Sequence, residues 1–206
     1  MEKGKPNIVL QFYIELKEIE PKIWRRIQVP SRYNFWDLHV AIQDSMGWLD
    51  YHLHAFSIKK SHKKKPLEIG IPSDDFDDVQ FLPGWEIDII EYFNEPGKSA
   101  PYLYDFGDSW EHEVLLEGIL LKDKNLTYPR CLAGERACPP EDCGSVPGYY
   151  EMLDVLKNPK HPEYSEYIDW LKNHAIDYTP YDPDRFIPEE VEFWNPKKRW
   201  KMAFEK

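Results

Sequence analysis

Apolar and polar residues alternate near the start of the chain. Between Leu10 and Leu16 every second residue is large and apolar, which is the two-residue period of a strand with one buried face. After a turn at residues 20–21, a second segment of this kind runs from Ile23 to Val29, and Pro30 ends it. The two segments predict a β-hairpin.

The next apolar pattern has the 3.6-residue period of a helix. Asn34 is a suitable N-cap residue, Asp37 stands three residues later, and Gly47 is a typical C-terminal stop. The main apolar face of this helix consists of Phe35, Leu38, Ile42 and Met46. A second stripe is either another buried side or an exposed partner surface. That stripe consists of Trp36, His39, Val40 and Gln43.

Short strands are predicted after this helix, and further helices after the strands. Residues 53–58 indicate a strand, residues 59–83 indicate charged loops with short strands, and residues 102–121 indicate a hairpin that turns near Gly107. Residues 149–157 then indicate a helix, and Pro162 opens another. The apolar face of that second helix holds Tyr164, Ile168, Leu171 and Ala175.

At the C-terminus, Pro188 is expected to start a last short helix that Asn195 and Pro196 end. The complete pattern predicts an α+β fold with a mixed or antiparallel sheet built from hairpins, one helix packed early, and a helical C-terminal third. We expect a single domain over residues 1–206. A weak internal boundary is expected near residue 147, with residues 148–206 as a helical extension.

Charge and composition narrow the function classes. The formal net charge is −11 and the pI is about 5.1, so the field of the whole chain repels phosphate backbones and acidic lipid surfaces. Nucleic-acid binding is therefore disfavoured, and a protein partner is the expected one. The N-terminus lacks a long apolar segment, which predicts a cytoplasmic protein without a membrane span. Three cysteines in such a chain indicate reduced thiols or metal ligands before disulfides.

Residues 102–143 concentrate groups that bind metals or transfer protons. Within the predicted hairpin, a strand that starts at Trp110 would place Trp110 and His112 on one face and Glu111 on the other. Asp105 and Asp108 precede that strand, and their carboxylates could bind a cation or a substrate. The alternative is that both aspartates build the turn through hydrogen bonds to the backbone and that the glutamates are solvated.

The three thiols define a second candidate site. Cys131, Cys138 and Cys143 are separated by six and four residues, whereas strong zinc signatures pair cysteines two to four residues apart twice over. A structural metal, zinc by preference, would need a further ligand from elsewhere. The candidates are His112 and the pair His52 and His54. The alternative is that the cysteines are small buried residues and the histidines form ordinary hydrogen bonds.

Two basic segments are candidate anion contacts. Arg25 and Arg26 follow Trp24 on a predicted strand, where they could stack on the indole or contact an anionic partner. The basic segment at residues 59–65 is followed by acids at residues 74–78. The favoured interpretation is that the basic segment forms a solvated loop whose charge the nearby acids neutralise.

The chain also resembles a known family. The segments on which this resemblance rests are PKIWRR with VP, FWDLHVAIQDSMGWLDYHLHAF, YDFGDSWEHEV, CLAGERACPPEDCG with GY, and YDPDRFIPEEV. They look like the plasmid pRiA4b ORF-3-like family, named after the third open reading frame of an Agrobacterium root-inducing plasmid. The resemblance covers about residues 9–195 and implies an α+β fold without a particular activity. Some members are labelled transposon resolvases, but this chain has no H-x-x-R, and Ser31 is its first serine.

Three functional hypotheses follow. The first is a non-catalytic binding or scaffold protein, with a structural metal in the cysteine loop. The second is an accessory protein of mobile DNA, acting through partners or a basic patch that includes Arg25, Arg26 and residues 63–65; salt-dependent DNA binding would test it. The third is a metal-dependent or thiol-dependent enzyme, which requires the histidines, Glu111 and the cysteines to converge on one cleft.

Overall fold

Strands dominate the first two thirds of the chain and helices the last third. The computed structural model describes residues 7–59, 65–72, 80–174 and 176–205. Within those ranges the strands are β1 (Ile8–Leu16), β2 (Ile23–Pro30), β3 (His54–Ile58), β4 (Leu67–Gly70), β5 (Phe81–Pro83), β6 (Ser99–Tyr104), β7 (Trp110–Leu121) and β8 (Arg130–Glu135). The helices there are α1 (Phe35–Met46), α2 (Ser145–Leu156), α3 (Tyr164–Asn173) and α4 (Pro196–Phe204).

These strands form one sheet in the order β5-β4-β3-β6-β7-β1-β2-β8. Neighbouring strands are antiparallel except for β4 and β5, which are parallel. The predicted first hairpin is confirmed, since β1 pairs with β2 from Val9 opposite Pro30 to Leu16 opposite Ile23. The second hairpin joins β6 to β7, with Tyr104 opposite Trp110. The α+β fold with a mostly antiparallel sheet is therefore confirmed.

Helix α1 begins and ends at the predicted residues. The Asn34 side chain accepts a hydrogen bond from the Asp37 N–H at 2.8 Å, and the Asp37 carboxylate accepts one from the Asn34 N–H. This reciprocal pair is the capping box that fixes a helix start. Gly47 ends the helix with φ +97°, a left-handed conformation that favours glycine.

The hydrophobic core lies between the sheet and the main apolar face of α1. Phe35 of α1 packs edge-on against Phe56 of β3 at 5.1 Å between ring centroids, and Phe12 of β1 packs against Phe93 at 4.9 Å. Residues of the C-terminal third join the same core, namely Tyr149, Met152 and Leu171.

The second stripe of α1 is a buried side and not an exposed surface. Helix α4 covers it: the Trp36 indole N–H donates to the Pro196 carbonyl at 3.1 Å, and the Trp36 ring packs on Phe204 at 5.6 Å. His39 and Gln43, farther along the stripe, are fully buried. Trp36 and His39 therefore serve intramolecular packing.

The C-terminal third departs from the predictions in three places. Cys131 lies on strand β8 and not in a loop, because residues 130–135 pair with β2 at the sheet edge. Pro188 starts a single 3-10 turn, Pro188–Glu190, rather than a longer helix. Asn195 was expected to end a helix, but it begins α4, since its side chain accepts hydrogen bonds from the N–H groups of Lys197 and Lys198 and proline is well tolerated in a first helical turn.

Some expectations lie outside the described residues. These are the basic segment at residues 60–64, the acids at residues 74–78, and Ala175. Among the residues that the structure does describe, no helix has the length and apolar character needed to cross a membrane.

Candidate metal centre

Three segments that are distant in sequence meet at one end of the interior strands β3 and β6. His52 precedes β3, Asp105 follows β6, and Asp142 lies between β8 and α2. His52 Nε2 lies 3.0 Å from Asp142 Oδ1 and 3.6 Å from Asp105 Oδ2. In the described part of the chain, this is the group in which one ligand atom from each of three residues lies within 4.8 Å of the others. We call these three residues the open cluster.

Local backbone geometry places both aspartates. Asp105 has φ 55° and Asp142 has φ 54°, a left-handed conformation that aspartate adopts more readily than most residues. Asp105 also closes the β6–β7 turn, because its Oδ1 accepts a hydrogen bond from the Gly107 N–H at 2.9 Å. Its other oxygen, Oδ2, faces His52. Asp105 therefore shapes the turn with one oxygen and leaves the other for the cluster.

A buried carboxylate lies behind the open cluster. Glu141 is 1% exposed and accepts hydrogen bonds from the Leu49 N–H at 2.6 Å and the Tyr104 hydroxyl at 3.0 Å. Its Oε2 is 3.9 Å from His52 Nε2. Burial raises the pKa of Glu141. Three carboxyl groups thus lie within 4 Å of His52 Nε2, and together they would attract a cation.

A second histidine reaches the cluster from the helical side. His174 Nε2 lies 3.5 Å from Asp142 Oδ2, and its ring packs on Trp170 at 4.9 Å. The Nε2 atoms of His52 and His174 are buried but form no well-aligned hydrogen bond with the residues that the structure describes. Buried nitrogen atoms normally have a partner; near these two lie the oxygens of Asp142, at 3.0 Å from His52 and 3.5 Å from His174.

The other candidates on β7 lie away from the cluster. Trp110 and His112 point into the core and Glu111 points to solvent, as the strand alternation predicted. His112 Nδ1 lies 3.3 Å from the Tyr102 carbonyl, and burial lowers the pKa of His112 to about 3. Asp108 contacts the cysteine segment instead, because its Oδ2 accepts a hydrogen bond from the Gly144 N–H at 3.2 Å.

His54 belongs to a different arrangement, buried in the core. Its ring stacks on His39 at 3.4 Å, and burial lowers the pKa of His54 well below its ordinary value. His39 Nδ1 lies 2.8 Å from the Tyr102 hydroxyl, and His39 Nε2 lies 2.7 Å from Asp50 Oδ1. We call His39, Tyr102 and Asp50 the closed network.

The cysteines do not come together with the histidines as a ligand group within the described chain. All three are free thiols; Cys138 is buried, and Cys131 and Cys143 are half-buried. Burial raises the pKa of each thiol, which favours the neutral thiol over the thiolate that binds metals. A zinc site built on these cysteines remains a prediction.

Both candidate arginines already have partners. Arg25 is fully buried; its guanidinium donates to the carbonyls of Ser45 and Glu135 and stacks on Phe186 at 3.7 Å. Burial lowers the pKa of Arg25 to about 10. Arg26 binds Glu117 through two hydrogen bonds of 2.7 and 2.8 Å. Salt-dependent DNA binding remains the test of the mobile-DNA hypothesis.

Sequence reasoning missed part of the site. Glu141 and Asp142 lie in the CPPEDCG segment, in which only the thiols were considered as ligands and not the two acids between them. His174 has no local signal, because α3 brings it to Asp142 only through tertiary packing. The acids could have been found by counting oxygen ligands as well as sulfur ligands in that segment.

The fold and the site define a class: a mixed α+β protein with a histidine-aspartate cluster where β6 and the approach to β3 meet the cysteine segment. The chain belongs to the plasmid pRiA4b ORF-3-like protein family, whose model matches residues 8–190. Uncharacterized protein y4hQ from Sinorhizobium fredii (strain NBRC 101917 / NGR234) is 31% identical over 170 residues, which are 82% of this chain and 84% of y4hQ.

A solved structure has the same fold. MM3350, described as a protein of unknown function from Methanosarcina mazei Go1, is 40% identical in sequence and superposes with a TM-score of 0.78. The match covers 92% of this chain and 100% of the crystallised one. The family resemblance and the α+β class inferred from the sequence are thus confirmed.

Proposed function

We propose that this protein binds a divalent transition-metal ion through His52, Asp105 and Asp142. The observation that carries the proposal is the approach of one histidine nitrogen and two carboxylate oxygens from three segments to within 4.8 Å of one another. Zinc holds its nitrogen and oxygen ligands at about 2.0–2.2 Å, so atoms sharing one tetrahedral ion lie roughly 3.4 Å apart. The contacts of 3.0 and 3.6 Å from His52 Nε2 suit that spacing.

The ligand types select the metal class. Magnesium and calcium prefer oxygen ligands throughout, whereas an imidazole with carboxylates suits zinc, manganese or iron. Two carboxylates of the open cluster balance a divalent charge, and Glu141 adds a third negative group nearby. His174 would lie beside the ion, 3.5 Å from Asp142. Zinc and manganese are therefore the ions to test first.

The ion would have a structural consequence. Its ligands come from the approach to β3, the β6–β7 turn and the segment before α2, so binding would fasten the cysteine segment to the sheet. In the absence of the ion, the aspartates around His52 repel one another. This supports a non-catalytic binding protein that a metal ion stabilises.

The experiment is a titration of untagged, chelator-treated protein with Zn²⁺ and Mn²⁺ by isothermal calorimetry, with elemental analysis of the product. We expect one ion per chain. His52→Gln and Asp142→Asn should each weaken binding at least about tenfold, because each removes a direct ligand. His161→Gln is the matched control, since His161 lies outside the cluster and forms no ion pair in the described chain.

A triple variant in which Cys131, Cys138 and Cys143 become serine separates the two metal hypotheses. Under the proposal, this variant retains the ion. Loss of the ion in the serine variant, with retention in Asp142→Asn, would move the metal to the cysteine loop. Absence of any stoichiometric ion from the unaltered protein would refute the open cluster as a metal site.

A metal-dependent enzyme is the second candidate, and one observation favours it. The Asp142 side chain is 48% exposed, so a bound ion would be accessible from solvent on that side. Catalytic zinc sites use three protein ligands and leave one position to water. Hydrolysis of a broad ester and phosphoester panel by zinc-loaded protein, abolished in Asp142→Asn, would support this candidate over a purely structural ion.

A further inference from the structure

A cavity of about 330 Å³ lies beside the open cluster, where α2 and α3 face each other. Its wall consists of the Asp142 carboxylate, the Cys143 thiol, and acidic and aromatic side chains on or next to the two helices. We call this cavity the acidic groove; the residues that define it are Asp142, Cys143, Glu151, Glu163, Glu166, Tyr167 and Trp170.

The helix acids of the groove lack cationic partners. In the described part of the chain, Glu151, Glu163 and Glu166 form no ion pair, although Asp154 on the same helix α2 pairs with Lys157 at 2.8 Å. Like charges gathered in a concave surface reinforce one another's potential. These three glutamates therefore leave negative charge in the groove that a cation would neutralise, whereas Asp142 has His52 and His174 beside it.

The presence of aromatic rings distinguishes this groove from an ordinary solvated acidic surface. Tyr167 and Trp170 are three residues apart on α3, so they share one side of the helix, and both are half-buried. Trp170 is held in place by the His174 ring at 4.9 Å. Burial, followed by the charges of the three glutamates, raises the pKa of Tyr167. Indole and phenol faces attract cations, most strongly where water is partly excluded.

We propose that the acidic groove docks a lysine- or arginine-bearing segment of a protein partner. Charge complementarity selects this occupant, because four carboxylates around two rings repel phosphate, nucleic acid and anionic lipid and attract ammonium or guanidinium groups. The volume lies at the low end of ligand pockets, which span about 300–1,000 Å³, and suits inserted side chains more than a large cofactor.

The docking proposal goes beyond the metal proposal. The groove shares only Asp142 with the open cluster; of its other three acids, Glu151 lies on α2, Glu166 on α3, and Glu163 just before α3. A cationic side chain can therefore enter whether or not an ion is bound. Experiments on the helix acids leave the ligands of the ion untouched, so the two proposals fail separately.

The test uses fluorescence anisotropy with a labelled, alanine-rich peptide that carries two lysines, and the same peptide with norleucine in their place. We expect the lysine peptide to bind the full chain and the norleucine peptide to bind at least about tenfold more weakly. The variant Glu163→Gln/Glu166→Gln should lose about tenfold in affinity for the lysine peptide. Trp170→Leu should also weaken binding, because it removes the indole face.

The matched control is Glu189→Gln/Glu192→Gln, which removes the same charge at exposed residues outside the groove. This control should stay within about twofold of the unaltered protein. Equal weakening by both double variants would show a general field effect and overturn the groove. Failure of the unaltered protein to bind the lysine peptide would overturn the proposal outright. Spermidine binding as tightly as the peptide would replace the protein partner with a free polyamine.

Discussion

The closed network and the open cluster use the same residue types with opposite results. In the closed network, both ring nitrogens of His39 have partners, the Tyr102 hydroxyl at 2.8 Å and Asp50 at 2.7 Å. In the open cluster, His52 Nε2 lies near two cluster aspartates without a well-aligned hydrogen bond. The two regions are neighbours on the sheet, since Tyr102 and Tyr104 are alternate residues of β6.

The difference shows that hydrogen-bond saturation distinguishes the two histidines better than residue type does. The closed network is also anchored from α4, where Arg199 binds Asp44 at 2.6 Å and approaches Asp50 at 3.4 Å. Every added partner lowers the gain from a ligand, because a buried group that is already satisfied must lose a bond to accept a new one. His52 in the open cluster has no well-aligned hydrogen bond to lose when it binds a ligand.

The largest expected effect compares the same substitution in the two regions. Asp50→Ala should lower the free energy of unfolding by about 3 kcal/mol, because it leaves His39 Nε2 without its acceptor and weakens the Arg199 pair in a buried site. Asp142→Ala should cost about 1 kcal/mol or less in chelator, since its side chain is 48% exposed. Urea unfolding followed by circular dichroism measures both.

Backbone strain does not separate these two variants. Asp50 has φ 62° and Asp142 has φ 54°, so alanine meets a similar left-handed penalty at each position. The difference between the two losses therefore reports the side-chain partners. Equal losses would show that the closed network contributes no more to stability than the open cluster, which would contradict the proposed difference between the two regions.

Stabilisation by a metal ion should depend on the open cluster and not on the closed network. An ion that binds only the folded state stabilises it by about 2.7 kcal/mol at 100 times its dissociation constant. Zinc should therefore raise the free energy of unfolding of the unaltered protein and of Tyr102→Phe alike, and it should have no such effect on Asp142→Asn. Unfolding curves with zinc and with chelator give the comparison. A zinc effect that Tyr102→Phe abolishes would place the ion in the closed network.

Much of the fold could be predicted because its signals are local. The alternation over β1, the capping box of Asn34 and the left-handed stop at Gly47 each depend on neighbouring residues. Strand β8 was missed because residues 130–135 lie at a sheet edge and are half-buried, without a clean alternation. Helix α4 was missed because Asn195 and Pro196 fit both a helix end and a helix start, and only packing on Trp36 decides between them.

The candidate site could be predicted only in part. Asp105 and His52 were chosen from their residue types, and the structure brings them together. Asp142 and His174 were missed because no periodicity connects them to His52; their contacts arise from the path of the chain between β8 and α3. The closed network could not be predicted either, since the partners and the burial of His39 and His54 arise from tertiary packing.

Acid stability tests whether buried histidines outside the open cluster behave as core residues. Burial lowers the pKa of His112 from about 6.5 to about 3. Between these values the unfolded chain binds the proton that the folded chain refuses, so the free energy of unfolding falls as the pH drops through this window, by up to about 1.4 kcal/mol per pH unit. His112→Leu removes this contribution and should flatten the pH dependence between pH 6 and pH 4.

The measurement is urea unfolding of both proteins at a series of pH values. His54 has a pKa shifted in the same direction by burial, but it is present in both proteins and its contribution cancels in the difference. Parallel stability curves would mean that His112 is solvated in the folded state. The acid sensitivity would then have to come from other groups.

The smallest expected effect concerns an exposed ion pair. It tests whether contact with water reduces the contribution of a charged pair to stability, as the comparison of Asp50 with Asp142 assumes. Arg26 and Glu117 share two short hydrogen bonds, yet their side chains are 33% and 23% exposed. Lysine keeps the charge but not the forked geometry, so Arg26→Lys should cost about 0.5 kcal/mol. A double-mutant cycle with Glu117→Gln isolates the coupling between the two residues. A coupling above about 2 kcal/mol would show that a well-formed pair stabilises this fold even in contact with water, and burial would then cease to explain why Asp50 matters more than Asp142.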